Sequence, residues 1–154
     1  MRKLGLIAVE HGLRRYRDTH RSAMIEAASQ AFATMTRGAY TGLATQPDGA
    51  REVLVSLAAG GGSKRAADLS KGTRFQLYLA LRVAAYHERA AQGPVPPFVA
   101  DDIMETFDDD RAAEAFEVMA GMAMKGQVIY LTHHRHLCDI ARRVCPQVRL
   151  HELG

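Results

Sequence analysis

Apolar positions along this chain change period several times, and the changes mark out its elements. From Leu4 to around Ala33 there is no proline, and Leu6, Val9, Leu13 and Tyr16 step by 3, 4 and 3. That is the spacing of a helix with an apolar seam, as at the end of a coiled coil or on a docking helix. Gly38 ends the run. Ala39–Thr45 and Glu52–Leu57 then alternate as two strands around a turn at Gln46-Pro47-Asp48-Gly49. Gly60-Gly61-Gly62-Ser63 reads as a flexible joint and as the best internal boundary.

Beyond that joint the chain alternates helix and strand. Ser70 can cap a helix running to Ala91. Its Phe75, Leu77, Tyr78, Leu79, Leu81, Val83 and Tyr86 cover nearly the whole circumference, which predicts a buried helix. Pro94-Val95-Pro96-Pro97 stops it before a short strand, Phe98-Val99-Ala100. A helix over Asp109–Lys125, a strand over Gln127–Thr132, a helix over His134–Val144 and a last strand over Gln147–Leu150 follow. The order α-β-α-β-α-β predicts an α/β fold, with a parallel sheet and crossover helices.

Composition and charge narrow the function classes. At 47% apolar and 24% charged, the 154 residues have globular composition, and no apolar run reaches the ~18 residues of a membrane span. The apolar start at Leu4 is interrupted by Glu10, His11, Arg14 and Arg15, which argues against a signal peptide. Cys138 and Cys145 then read as free thiols in a reducing cytoplasm. The formal net charge of +3 hides a segregation. Six of the 17 acids (Asp101, Asp102, Glu105, Asp108, Asp109 and Asp110) fall within ten residues, leaving 11 acids against 20 basic residues elsewhere. A basic body with one acidic cluster fits a polyanionic partner and a cation site; it equally fits a solvated acidic loop. Arg14, Arg15, Arg17 and Arg21 likewise fit contact with a polyanion such as nucleic acid or, equally, a solvated helix face.

Three groups of residues could carry chemistry, and each lies at the end of an element. Leu69-Ser70-Lys71-Gly72-Thr73 opens a helix, whose free N–H groups and dipole suit a phosphate. A plain N-cap is the simpler alternative. Phe98-Val99-Ala100-Asp101-Asp102 ends a strand in two carboxylates, at the sheet edge where α/β proteins bind ligands. One carboxylate there can hold Mg²⁺ and the other can orient or deprotonate a water. Val128-Ile129-Tyr130-Leu131-Thr132-His133-His134 is a strand ending in groups that could sense or polarise a phosphate. His133-His134-Arg135-His136-Leu137-Cys138 also offers zinc-type ligands, but its spacing fits no standard zinc pattern and no matching pair stands elsewhere.

Taken together, these strings resemble the C-terminal half of an ATP-binding-cassette head of the SMC/RecF/SbcC group, and most nearly the YhaN-type family. Leu69–Arg82, Phe107-Asp108-Asp109-Asp110-Arg111 and Gln127–His134 carry the resemblance, which extends from Ala28 to the C-terminus. It implies the C-terminal lobe of a P-loop NTPase: a parallel sheet flanked by helices, with a short β-hairpin. Residues 1–33 would be the returning end of a coiled coil and residues 34–154 the lobe itself. It also implies roles. Ser70, Lys71, Gly72 and Thr73 would form the signature motif that meets ATP held by an opposing head. Asp101 would be the Walker B carboxylate on Mg²⁺, Asp102 the catalytic base, Asp108 the D-loop aspartate at the head–head interface, and His133 the switch histidine.

The sequence departs from that family's pattern in three places. The signature reads Leu-Ser-Lys-Gly-Thr rather than Leu-Ser-Gly-Gly-Gln, and Asp102 stands where most cassettes carry glutamate. No Gly-x-x-x-x-Gly-Lys-[Ser/Thr] occurs in the 154 residues; Gly121–Gly126 has the glycine spacing, but Gln127 follows. The chain therefore reads as half of an ATPase. The implied partners are the N-terminal half of the same head, a second head in a homodimer, DNA and a nuclease subunit, in the cytoplasm or on the nucleoid and away from membranes. The exposed side of the Phe98 and Val128 strands would need the missing half. Two other readings remain: a non-catalytic module that binds a partner head, and a metal-dependent nuclease or hydrolase using the acidic cluster directly.

Overall fold

The computed structural model describes residues 21–153. The seam at Leu6, Val9, Leu13 and Tyr16 lies outside them, as do Arg14, Arg15 and Arg17. Within them, α1 (residues 21–35) leads into β1 (Tyr40–Asp48), β2 (Arg51–Ala58) and β3 (Ser63–Arg65). A 3₁₀ turn at Ala66–Asp68 precedes α2 (Lys71–Ala91). Then come β4 (Phe98–Asp101), α3 (Asp109–Ala123), β5 (Val128–Leu131) and α4 (Arg135–Val144).

α1 buries Ala28, Ala31, Phe32 and Met35, the i, i+3, i+4, i+7 stripe of an amphipathic helix. It ends in a Schellman motif: Gly38 N–H donates to Ala33 O and Arg37 N–H to Thr34 O, both at 2.9 Å. The left-handed position is held by Arg37 (φ 53°), with Gly38 (φ 77°) after it. Ser29 Oγ ties the helix to β1 by accepting from Leu43 N–H at 2.9 Å. Arg21, one of the arginines read as a solvated or nucleic-acid-facing row, pairs with Glu52 of β2 at 2.5 Å.

β1, β2 and β3 form an antiparallel meander in that order. Two turns differ from the sequence expectation. β1 runs on through Pro47 and Asp48, opposite Glu52 and Arg51, so the hairpin turn is Gly49-Ala50. Pro47 is tolerated because β1 is an edge strand of this sheet. Gly49 (φ 61°) at the first turn position gives the glycine-first pattern of a two-residue hairpin. Gly60–Gly62 is likewise no joint between bodies. It is the turn of the second hairpin, closed by Ala58 N–H to Gly62 O at 3.1 Å.

β4 and β5 pair in parallel, joined by α3 as the crossover. The core is one cluster of buried side chains running from Phe32 and Met35 through Leu77, Ala80 and Val83 to Phe116, Met119, Leu137 and Ile140. Gln76 is buried within it and donates from Nε2 to Met35 O at 2.5 Å, which satisfies a carbonyl at the end of α1. α2 is not buried all round. Phe75, Tyr78, Arg82, Ala85 and Arg89 step by 3, 4, 3 and 4 and form an exposed stripe, with Phe75 at 40% and Tyr78 at 50%. The expected strand over Gln147–Leu150 is absent: the segment follows a turn at Pro146-Gln147 and pairs with neither strand of the parallel sheet.

Phe32 and Phe75 therefore differ in energetic weight. Phe32→Ala is expected to cost about 3–5 kcal/mol of unfolding free energy, as for other buried phenylalanines. Phe75→Ala should cost about 1 kcal/mol or less. Urea titration of both variants measures this, and equal losses would contradict the exposed stripe on α2.

Candidate functional site at the ends of the parallel strands

The parallel ladder runs from Phe98 N–H to Gln127 O (2.8 Å) through to Asp102 N–H to Leu131 O (2.8 Å), one residue past the end of β4. It brings the end of β4 beside the residues that follow β5. Burial alternates along β4, so Asp101 shares the open face with Val99 while Phe98 and Ala100 face the core. Asp102 has turned into the left-handed region (φ 46°), a conformation that aspartate tolerates better than most residues. The two adjacent aspartates are thus treated differently: Asp101 is exposed and Asp102 is half-buried.

The loop after β5 holds both oxygens of Asp102. Thr132 Oγ1 donates to Oδ1 at 2.8 Å. His133 Nδ1 lies 2.8 Å from Oδ2, and His134 Nε2 lies 3.6 Å from the same oxygen, too far for a hydrogen bond. Thr132 Oγ1 in turn accepts from His134 N–H at 3.1 Å, which fixes the turn leading into α4. The two imidazoles lie face to face, centroids 3.9 Å apart and tilted by 36°. His133 is 75% exposed, whereas His134 Nε2 is sealed from solvent without a hydrogen-bond partner. Beneath this group Tyr130 accepts from Met104 N–H at 3.3 Å. Burial pushes its phenol up to about 12, and the nearby Asp102 and Asp101 charges act in the same direction.

The other sequence-predicted residues lie at helix starts. Ser70 is the N-cap of α2: its Oγ accepts from Thr73 N–H at 3.2 Å and lies 2.8 Å from Thr73 Oγ1. Lys71 is exposed in the first turn. At Gly72 an added Cβ would sit 2.6 Å from Arg111 Nη1, so the guanidinium of Arg111 lies directly over this glycine. Asp108 is the N-cap of α3, accepting from Arg111 N–H at 2.8 Å, with Arg111 Nε 3.4 Å from its other oxygen. Thr73, Gln76, Asp108, Arg111 and Arg37 line one cleft of about 260 Å³. The structure therefore brings the start of α2 together with Asp108, and separately brings Asp102 together with His133.

The backbone fold, though not these side chains, can be compared with known proteins. A structure from work on ATP-driven dimerisation and DNA-stimulated activation of SMC ATPases superposes with a TM-score of 0.67 at 19% identity, covering 83% of this chain and 77% of that one. The Smc head of Pyrococcus furiosus bound to the C-terminal domain of ScpA gives 0.62 at 19% identity, over 78% of this chain and 30% of that one. The SMC head domain of Thermotoga maritima gives 0.57 at 18%, over 79% and 40%. The fold is that of an SMC-type ATPase head. Among curated proteins, the uncharacterised YhaN of Bacillus subtilis (strain 168) is 29% identical over 133 residues. That match covers 85% of this chain and 13% of YhaN. No protein-family model matches the chain.

Within this head fold, two side chains come forward that carried no role in the sequence reading. Thr132 orients Asp102, and a hydroxyl residue between a strand and a His-His pair is the only local trace of that. Arg111 bridges the starts of α2 and α3, a contact between helices that no local pattern announces. Among the described residues, no helix is long and apolar enough to cross a membrane.

Tyr130 supplies a solution check on the site. Its raised value favours the neutral phenol in the folded state, so this contribution to stability is whole below pH 10 and is lost as pH rises towards 12. In an alkaline titration of phenolate absorbance, one late step is expected, and Tyr130→Phe should remove it.

Proposed function

We propose that this chain is the C-terminal lobe of an SMC/SbcC/YhaN-like ATPase, which binds and hydrolyses ATP between two engaged heads to drive DNA repair or processing. The observation that carries this reading is the Asp102 carboxylate held between Thr132 and His133 at the ends of β4 and β5. A carboxylate fixed on one oxygen, with its other oxygen beside an exposed imidazole, suits the orientation and deprotonation of an attacking water. Aspartate reaches less far than glutamate, so the fixing by Thr132 has more to do here.

The donor set fits Mg²⁺ and a phosphate chain. Asp101 offers a hard, exposed oxygen at the C-terminal end of a parallel strand, the type of ligand that Mg²⁺ takes together with water and phosphate. When bound, the cation neutralises charge on the phosphates. Ser70, Lys71, Gly72 and Thr73 would present the N-terminal turn of a 21-residue helix to the nucleotide of an opposing head. Arg111 adds a guanidinium at the same place. Asp108, on the wall of that cleft, would lie at the interface of two heads. His133, exposed beside Asp102, would face the terminal phosphate.

The partners follow from what this chain leaves open. Val99, Ile129 and Leu131 lie 48%, 36% and 38% exposed on a two-stranded parallel sheet, an arrangement normally covered on both faces. That face suits the N-terminal half of the same head, which would bring the phosphate-binding loop. α1 would be the returning end of a coiled coil, with residues 1–33 as that segment and 34–154 as the lobe. DNA and a nuclease subunit are the further partners, in the cytoplasm or on the nucleoid. The lack of a phosphate loop in this sequence favours one alternative: a non-catalytic half-cassette that binds a partner head.

Asp102→Asn separates the two. In the assembly completed by a phosphate-loop-bearing half, it should lower ATP turnover by roughly 10²–10⁴-fold while nucleotide binding persists. An unchanged turnover would leave the interaction module as the reading.

A further inference from the structure

The site at the strand ends has a second chemical property. Asp102 Oδ2, His133 Nδ1 and His134 Nε2 all lie within 4.8 Å of one another. Two of the separations are 2.8 Å and 3.6 Å. A tetrahedral zinc ion with bonds of about 2.0–2.1 Å sets its ligand atoms roughly 3.3 Å apart. Small side-chain rotations would therefore seat such an ion. From these positions we propose that Asp102, His133 and His134 form a binding site for a borderline divalent transition metal. The metal would have one carboxylate and two imidazole ligands, and an outer position open to solvent. This goes beyond the Mg²⁺ reading and does not depend on it. Imidazole nitrogens favour Zn²⁺ and its neighbours, whereas Mg²⁺ takes oxygen donors.

Three further features match what such a site requires. His134 Nε2 is sealed from solvent and has no hydrogen-bond partner, an unmet demand that a metal bond would satisfy. Thr132 Oγ1 holds the other oxygen of Asp102, the kind of outer contact that orients a metal-ligating carboxylate. His133 is 75% exposed and gives the ion an entry path. The local string His133–Cys138 hides this ligand set, because its third member stands on the neighbouring strand end. His136 lies 5.6 Å from His134, ring to ring, and Cys138 is on the following turn of α4; neither belongs to the cluster. If the ATPase reading also holds, an ion seated here removes both Asp102 and His133 from the water they would handle.

The test is Zn²⁺ binding by the 154-residue chain alone, without nucleotide, read by competition with a chromogenic chelator. One ion per chain is expected. His134→Ala and Asp102→Asn should each weaken binding at least tenfold, and Thr132→Val about 10–100-fold. The His136→Ala/Cys138→Ser double variant should bind as the parent does. Circular dichroism confirms the fold of each variant, and exposed His133→Ala replaces His134→Ala should the latter not fold. Absence of stoichiometric binding overturns the proposal. So does binding that survives in His134→Ala, or that is lost in the double variant. ATP turnover plays no part in the readout, so this site and the ATPase reading can fail independently.

Discussion

Everything at the candidate site depends on the register of the β4–β5 ladder. The backbone bond from Asp102 N–H to Leu131 O carries the parallel pairing one residue past the strand and sets Asp102 opposite Thr132 and His133. A slip of one residue would exchange the faces of β4, sending Asp101 inward and Phe98 outward. The register is fixed by Phe98 and Ala100, which must face the core, and by Tyr86, whose ring meets Phe98 edge-on at 5.8 Å. Core packing thus determines which aspartate is free and which is held.

A second constraint sits at the helix starts. The helices α2 and α3 both begin with capped turns, Ser70 on one and Asp108 on the other, and the Arg111 side chain reaches from the second to lie over Gly72 of the first. The cleft beside them mixes Arg37, Asp108, Asp110 and Arg111 with Met35, Ala39 and Tyr40, while Leu77, Ala112 and Ala115 are buried in the two helices. The molecule keeps its chemistry at element ends and its apolar mass in element middles. This is the arrangement expected of an α/β fold, in which ligands meet the ends of strands and helices.

Much of this was legible in the chain. Ser70 and Asp108 announce helix starts by residue type, and the alternation from Ser70 onward gives α2-β4-α3-β5-α4 nearly to the residue. Of the four readings that failed, the shift of the first hairpin turn is the smallest, and the other three have plain physical reasons. Gly60–Gly62 resembles a linker because glycine serves hairpin turns and joints equally well. The apolar positions of α2 cover nearly its whole circumference, yet Phe75 and Tyr78 fall on an exposed stripe, which touches β4 where Arg82 lies over the Phe98 ring. Gln147–Leu150 has strand-like residues but pairs with neither β4 nor β5. At the site, the resemblance singled out Asp102 and His133 individually. Their contact, and the part of Thr132 in it, is a tertiary fact that one-dimensional spacing cannot carry.

The end of α1 shows how a lever could be attached to such a body. Met35 O is gripped by the buried Gln76, while two residues later Arg37 reaches across solvent to Asp110 at 2.7 Å and Glu114 at 3.6 Å. The first contact is dry and indifferent to salt. The second is exposed, worth only a fraction of a kcal/mol to about 1 kcal/mol, and screened by ions. Arg37 lies beside the cleft where the starts of α2 and α3 meet, so rising ionic strength loosens this contact first and leaves the end of α1 anchored by Gln76.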